Sequence, residues 1–182
     1  APPAELAPGG VSLELWLRPA TEPASARGRI LAVTDADQRE LFFVGQWTTQ
    51  LLVLLRQSEG SGKSAFSEID VPEALRTNQV RFVTVTAGSE GTRFFLEGTL
   101  AKRYPGIRLL PASETLAGKF LFLGNSPDGT CPWAENLLGI AVYGRVLTES
   151  EIQANHAWWR TDRRSPPPVP PVAVYDFSVG SG

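Results

Sequence analysis

The 182-residue chain has few of the residue types that most often carry reactive or metal-binding chemistry. It contains one cysteine, Cys131, one histidine, His156, and no methionine. A single cysteine excludes an internal disulfide, and one cysteine with one histidine cannot form a zinc site of the usual nitrogen and sulfur type. The same scarcity excludes most nucleophilic triads that use a histidine, unless His156 itself is the base.

A strong charge imbalance and a long apolar segment are also missing. The formal net charge of −2 gives no electrostatic basis for binding nucleic acid or an anionic membrane. The longest purely apolar run, "LLVLL" at 51–55, is far shorter than the ~20 residues that a membrane helix needs. We therefore expect no membrane span in this chain, which leaves open that the parent protein is membrane-attached.

What the chain does contain is a series of short apolar runs bounded by turn-forming residues. In "VSLELWLRP" the residues alternate between an apolar and a polar face, which predicts a half-buried strand that ends at Pro19. Similar runs are "RILAVTD", "ELFFVG", "QLLVLLRQ", "QVRFVTVTAG", "GKFLFLGN" and "NLLGIAVYG". Many strands at a spacing of ~8–12 residues predict an all-β fold, an antiparallel β-sandwich of the jelly-roll kind.

Two local signals are more specific. The segment "TRFFLEGTLAKR" predicts a hairpin whose turn lies at Glu97 and Gly98. The segment "LTESEIQANHAWWR" predicts one short C-terminal helix, because Thr148 and Glu151 have the spacing of a capping box. Ile152, His156 and Trp159 then fall on one face of that helix.

These elements predict four regions: an N-terminal tail at 1–10, a sandwich at 11–160, a proline-rich linker at 161–171 and a C-terminal strand at 172–182. The last segment, "VAVYDFSVGSG", alternates like a strand and needs a sheet to join. It either returns to the same sandwich as an edge strand or begins a following domain. We favour the first, because chain ends in compact domains are often close together.

The order of these segments resembles the laminin-G-like domains of the concanavalin A-like lectin/glucanase superfamily. The segments that carry the resemblance are "SLELWLRP", "RILAV", "VRFVTVTAGSEGTRFFLEGTLAKR", "FLFLGNSPDG" and "LLGIAVYGRVLTESEI". In the last of them the residues that fit the family pattern are Ile140, Val142, Tyr143, Arg145, Leu147, Thr148, Glu151 and Ile152. The subtype resembles the laminin-G-like domains attached to bacterial VanZ-like membrane proteins.

The resemblance implies a non-catalytic binding or structural module outside the cytoplasm, secreted, periplasmic or at the cell surface, with a glycan or protein ligand. Self-association by strand exchange is an alternative. Members of the family often bind calcium through an aspartate where this chain has Leu138, followed by Gly139. No other cofactor is implied. The calcium ligands that the chain could still offer are Asp35, Asp37 and Asp128, which turn formation alone also explains.

Three carboxylates in "SEIDVPEAL" raise an enzymatic alternative. Glu68, Asp70 and Glu73 have the order Glu-x-Asp-x-x-Glu, which resembles the active-site signature of family 16 glycoside hydrolases. A retaining glycosidase needs two carboxyl groups ~5–5.5 Å apart, whereas residues 68 and 73 of a regular strand point to opposite faces. The interpretation we favour makes Glu68 and Asp70 the solvent face of a strand, and places Glu73 in a short helical turn that Pro72 begins.

Aromatic side chains are the remaining candidates for ligand binding, because lectin-like sites stack a ring on a sugar face. We name Trp16, Trp47, Tyr104 and Trp133 as candidates, with Tyr143 as a further aromatic of the same kind. Trp16 lies on the polar face of its strand, and Trp133 lies in the loop "SPDGTCPWAEN", where binding residues tend to occur. For each of them the alternative is a structural role in closing the sandwich.

Overall fold

The structure is a computed structural model that describes residues 6–19, 27–56, 66–76, 79–133, 135–161 and 165–177. In these residues the elements are β1 (Val11–Arg18), β2 (Gly28–Thr34), β3 (Glu40–Trp47), β4 (Gln50–Arg56), β5 (Phe66–Val71), β6 (Arg81–Gly88), β7 (Gly91–Leu96), β8 (Thr99–Pro105), β9 (Phe120–Leu123), β10 (Asn136–Tyr143), α1 (Glu149–Thr161) and β11 (Ala173–Asp176). Within the described ranges, no helix is long and apolar enough to cross a membrane.

The strands form two antiparallel sheets. One sheet has the order β11-β10-β1-β6-β7-β8, and the other has the order β5-β4-β3-β2-β9. The chain divides into two compact units, one for each sheet: the six-stranded unit within 1–18, 80–117 and 136–182, and the five-stranded unit within 19–79 and 118–135. Two antiparallel sheets with one short helix confirm the predicted all-β class. They are the elements of a jelly-roll β-sandwich.

Helix α1 begins where the capping box predicts. The backbone N–H of Glu151 donates to Thr148 Oγ1 at 3.3 Å, and the backbone N–H of Thr148 donates to Glu151 Oε2 at 2.8 Å. Arg145 reinforces this end with two hydrogen bonds to the Glu151 carboxylate, at 2.6 and 3.0 Å. The pKa of Glu151 falls to about 2, chiefly because of the Arg145 hydrogen bonds, so the carboxylate stays charged.

The prediction that β1 is half-buried is wrong, because both faces of this strand are covered. Its apolar face is fully buried, but Ser12 and Glu14 on the polar face are also 0% exposed. Helix α1 lies over that face: Ile152 and Trp159 join a buried cluster with Phe82, and Trp16 packs against it. The alternation of β1 therefore separates two buried environments rather than core from solvent.

The C-terminal strand joins the sheet of its own chain. β11 pairs antiparallel with β10, and the flanking backbone N–H groups of Val172 and Phe177 donate to Val142 and Leu138 at 2.7 and 2.9 Å. Val169, in the segment before β11, is 7% exposed and belongs to the cluster beneath α1. As an edge strand, β11 leaves several large apolar side chains exposed: Val172, Val174, Tyr175 and Phe177.

Removal of the chain after Ser165 should destabilise the protein. The truncation deletes the buried Val169 side chain and the β10–β11 hydrogen bonds, so we expect a loss on the order of 3 kcal/mol and a melting temperature lower by about 5–10 °C. It also leaves β10 as an open edge, which promotes aggregation. Thermal unfolding and sedimentation of the truncated and full chains measure both effects.

A Val169→Ala variant of the full chain is the matched control, since it removes the buried side chain and keeps the strand. A truncated protein that stays monomeric with an unchanged melting temperature would show that β11 contributes nothing to this fold.

Candidate functional site

A polar pocket of about 210 Å³ lies in the five-stranded unit, beside the turn at 35–39 and the loop at 124–133. Its walls carry both hydrogen-bond donors and acceptors, which is the composition that a hydroxyl-rich ligand needs. The lining residues of this polar pocket are Arg29, Gln38, Glu40, Ser126, Pro127 and Asp128.

An ion pair between neighbouring strands forms one wall of the polar pocket. Arg29 donates from Nε and Nη2 to the two carboxylate oxygens of Glu40, at 2.8 and 3.2 Å. The Arg29 guanidinium also lies 4.2 Å from the centroid of the Phe43 ring. Partial burial alone would lower the pKa of Arg29, but the hydrogen bonds and charge of Glu40 raise it, so the guanidinium stays charged and is held in place.

The turn that carries Gln38 is closed by its own first residue. Asp35 Oδ1 accepts hydrogen bonds from the backbone N–H groups of Asp37 and Arg39, both at 2.9 Å. Gln38 itself has a left-handed backbone with φ of 59°, which few residues adopt without strain. Gln38 is exposed and lines the polar pocket.

The second loop is ordered by a network around Asp128. Asp128 Oδ1 accepts from the hydroxyl groups of Ser126 and Thr130 at 2.6 and 2.8 Å, and from the backbone N–H of Thr130 at 3.1 Å. These hydrogen bonds, that of Ser126 foremost, lower the pKa of Asp128 to about 2. Asp128 is therefore negatively charged across the physiological range, and none of these three hydrogen bonds uses its Oδ2.

Trp133 ties the same loop to the sheet. Its indole Nε1 donates to Gln46 Oε1 at 2.9 Å, and its backbone N–H donates to the Gly124 carbonyl at 2.8 Å. Trp133 is 7% exposed, so its ring supports the loop and offers no open face to a ligand in this conformation. A third attachment runs from the Arg29 backbone N–H to the Cys131 carbonyl, at 3.1 Å.

The predicted aromatic candidates belong to both units, with Trp16, Tyr104 and Tyr143 in the six-stranded unit and Trp47 and Trp133 in the five-stranded unit. In the six-stranded unit, Trp16 stacks on Trp159 with centroids 6.2 Å apart, and Tyr143 is buried. Tyr104 lies on the edge strand β8, half-buried, with Lys102 Nζ 4.9 Å from its ring centroid. Among the four candidates Trp16, Trp47, Tyr104 and Trp133, the exposed residue is Trp47, at 38%.

A family model of the laminin G type, described as the concanavalin A-like lectin/glucanases superfamily, matches residues 1–153. The chain belongs to this superfamily. A comparison with curated proteins gives no match to the sequence.

Solved structures with the same fold include two forms of one bacterial domain. The CBM40 of Ruminococcus gnavus IT-sialidase bound to alpha2,3 sialyllactose has a TM-score of 0.61 and 20% identity, over 81% of this chain and 83% of that one. Its form bound to alpha2,6 sialyllactose has a TM-score of 0.59 and 19% identity over the same shares. The botulinum neurotoxin type G receptor binding domain has a TM-score of 0.56 and 13% identity, over 83% of this chain and 38% of that one. At these identities the likeness shows the fold alone.

Glycine at position 139 has a structural cause. A Cβ atom on Gly139 would lie 2.4 Å from the Trp159 ring, so no larger residue fits there while α1 is docked. The aspartates named as calcium ligands have other roles: Asp35 closes its turn, Asp37 lies 3.9 Å from Arg39, and Asp128 orders its loop. Among the described residues, no group of three or more His, Cys, Asp or Glu side chains could hold a metal ion.

The three candidate catalytic carboxylates are placed at the edge of the five-stranded sheet. Ile69 and Val71 of β5 are buried while Glu68 is exposed, and Glu68 pairs with Arg27 at 3.0 Å. Asp70 is half-buried on the same strand. The turn after β5 is not the helical one that we predicted, because Glu73 has a left-handed φ of 59°.

Glu73 has local partners within that turn. Its carboxylate accepts from Thr49 Oγ1 at 3.0 Å and lies 3.1 Å from Arg76 Nε.

Sequence reasoning missed Arg29, Gln38, Glu40 and Ser126. Arg29 and Glu40 are not register partners, since Arg29 pairs with Gly45 and Glu40 with Thr34. The two long side chains meet because they run along the sheet, with the Arg29 guanidinium over Phe43. The signal that was available is the turn "DADQR", whose short hairpin had to bring Gln38 and Glu40 back beside β2.

A buried carboxylate in the six-stranded unit is a separate feature that could be mistaken for an active site. Glu14 accepts from Tyr143 OH and Asn155 Nδ2, both at 2.9 Å, and burial raises its pKa to about 7 against the opposing effect of these hydrogen bonds. Perturbed carboxylates of this kind are common at catalytic sites. Here Glu14 and Asn155 are 0% exposed, so no ligand reaches them and the network serves to dock α1.

We predict that Glu14 makes stability fall as the pH rises. Its pKa is higher in the folded protein, about 7, than the ordinary value of 4.5, so the folded state binds this proton more tightly. The stabilising contribution is complete below pH 4.5, is lost between 4.5 and 7 at up to about 1.4 kcal/mol per pH unit, and is constant above 7. Chemical denaturation at several pH values measures it.

The matched control for this prediction is Glu14→Gln, which keeps the shape and removes the titration. The unfolding free energy of the parent protein minus that of Glu14→Gln should decrease as the pH rises to 7 and should then stay constant. The comparison is needed because His156 also makes stability depend on pH: burial lowers its pKa, although the nearby Glu97 acts in the opposite sense. Both proteins contain His156, so subtraction removes its contribution. Parallel curves for the two proteins would contradict the assignment.

Proposed function

We propose that this chain is a non-catalytic carbohydrate-binding module and that the polar pocket binds the sugar. The observation that carries the proposal is the pocket itself, in which Gln38, Asp128 and the Arg29–Glu40 pair meet around about 210 Å³. Carboxylate, amide and guanidinium groups each present two hydrogen-bonding atoms in one plane. Neighbouring hydroxyl groups on a sugar ring match that spacing.

The size of the polar pocket limits what it holds. Pockets for drug-sized ligands have volumes of about 300–1,000 Å³, so a pocket of about 210 Å³ suits one sugar ring at the end of a glycan. Pro127 supplies an apolar surface against the ring, and the ordered Asp128 loop limits the entropy lost on binding.

The comparisons support the same class of function. The CBM40 structures are of a carbohydrate-binding domain with sialyllactose, and the neurotoxin structures are of receptor-binding domains. Both are binding domains, which favours binding over catalysis for this chain. We further propose an extracytoplasmic location and attachment to a VanZ-like membrane protein, for which the support is the resemblance of the sequence to such domains. Calcium at Asp35, Asp37 or Asp128 belongs to the same proposal and is tested with it.

Self-association is a second candidate function, favoured by one observation. The edge strand β11 exposes Val174, Tyr175 and Phe177 by 39–48%, and edge strands of this kind can pair with another chain. The strand already pairs with β10 in its own chain, so association would add a strand rather than exchange one. Sedimentation of the full chain, already required for the truncation above, reports on it.

The glycan site can be located with point variants. We expect binding on a glycan array, and we expect Gln38→Ala and Asp128→Asn each to weaken it by on the order of tenfold, the usual effect of losing a hydrogen bond to a bound ligand. Trp47→Ala is the matched control, because Trp47 is the exposed aromatic candidate and does not line the polar pocket. Isothermal titration in calcium and in chelator gives the affinities and the effect of the ion.

Loss of binding in Trp47→Ala with full binding in Gln38→Ala would move the site to the tryptophan. A chain that binds no glycan under either condition would overturn the proposed function.

We also expect no hydrolysis of β-1,3 or β-1,4 glucans. Glu68 is engaged with Arg27, and Glu73 is held in its turn by Thr49 and Arg76, so neither carboxylate is poised beside a substrate. Reducing-sugar release by the parent protein and by Glu68→Gln and Glu73→Gln measures this. Turnover that disappears in both variants would establish a glycosidase.

A further inference from the structure

The electrostatic balance of the polar pocket is negative. Arg29 carries one positive charge, and Glu40 and Asp128 carry one negative charge each, so the lining residues have a net charge of −1. The adjoining turn adds Asp35 and Asp37 against Arg39 alone. The Asp128 carboxylate keeps its charge because Ser126 and Thr130 donate three hydrogen bonds to it.

The positive charge of the polar pocket is already balanced by a carboxylate. Arg29 uses two donors on Glu40, at 2.8 and 3.2 Å, and its guanidinium lies over the Phe43 ring. The guanidinium keeps three N–H donors beyond these two, but an acidic sugar that approached them would also lie beside the carboxylates of Glu40 and Asp128. The side chain of Glu40 is only 15% exposed, so freeing the guanidinium by breaking the pair would leave a partly buried charge without its partner, which is costly.

A neutral sugar meets no such obstacle. Its hydroxyl groups can donate to Glu40 and to Asp128 Oδ2, and they can accept from the Gln38 amide, without breaking the ion pair. Hydrogen bonds to charged groups are stronger than those between neutral groups, so the Arg29–Glu40 pair strengthens such contacts.

We propose that the ligand of the polar pocket is an uncharged glycan, and that the site discriminates against glycans ending in an acidic sugar. This inference rests on the proposed function, since it names the substrate class of the same site. It also separates this chain from the CBM40 domain whose structures hold sialyllactose. Similar folds would thus serve ligands of different charge.

The test compares each acidic glycan with the neutral glycan that lacks its acidic sugar, for example sialyllactose with lactose, across all pairs on the array. We expect the parent protein to bind the neutral member about tenfold more tightly, the effect of one like charge near the surface of a protein. Asp128→Asn, which keeps the shape of the loop and removes one charge, should bring the ratio of the neutral to the acidic affinity towards one. Raising the salt from 0.05 to 0.5 M should also lower this ratio, because salt screens the repulsion.

The outcomes are distinguishable. Tighter binding of the acidic member, lost in Gln38→Ala, overturns the charge inference and leaves the glycan-binding function standing. A preference for the neutral member that Asp128→Asn and salt leave unchanged also overturns it, since charge is then not the cause. Absence of binding to every glycan overturns the proposed function and the inference together.

Discussion

The docking of Trp159 on Gly139 is the contact on which the six-stranded unit depends. The indole ring lies where any Cβ at position 139 would have to be, 2.4 Å away, so the helix reaches the sheet only because β10 carries glycine there. Once docked, α1 buries Phe82 and the Glu14–Tyr143–Asn155 network, and Trp16 packs against them partly buried. A sheet face with polar residues thereby becomes interior, where Ser12 and Glu14 have hydrogen-bond partners within the protein.

The five-stranded unit is organised by a different contact, the hydrogen bond between Trp133 and Gln46. It fixes a long loop onto the strands, and the backbone bond from Arg29 to Cys131 holds the same loop at a second point. Asp128 then orders the tip of that loop. The polar pocket exists because these attachments hold Ser126 and Asp128 beside the Arg29–Glu40 pair. Preorganisation of this kind lets a small, shallow site bind without a large entropic cost.

Membership of the concanavalin A-like superfamily sets the scaffold and leaves the chemistry of the site to its loops and side chains. Two features of this chain illustrate the point. Gly139 admits the Trp159 ring, and Arg29 is paired with Glu40. The charge of the polar pocket is thus decided by its own side chains, and a fold comparison at 20% identity or less does not transfer it.

The sequence by itself determined the elements whose causes are local. The alternation of apolar and polar residues predicted the strands, and the spacing of Thr148 and Glu151 predicted the start of α1. The predicted turn at Glu97 and Gly98 is present, with φ of 51° and 75°. Only the tertiary structure decided what covers the polar face of β1, and which polar side chains meet. Glu14 looked like a solvent-facing residue because a period of two reports two faces and not what lies over each. Arg29 and Glu40 were invisible as a pair because long side chains meet across a sheet by packing, which register and spacing in the chain do not encode.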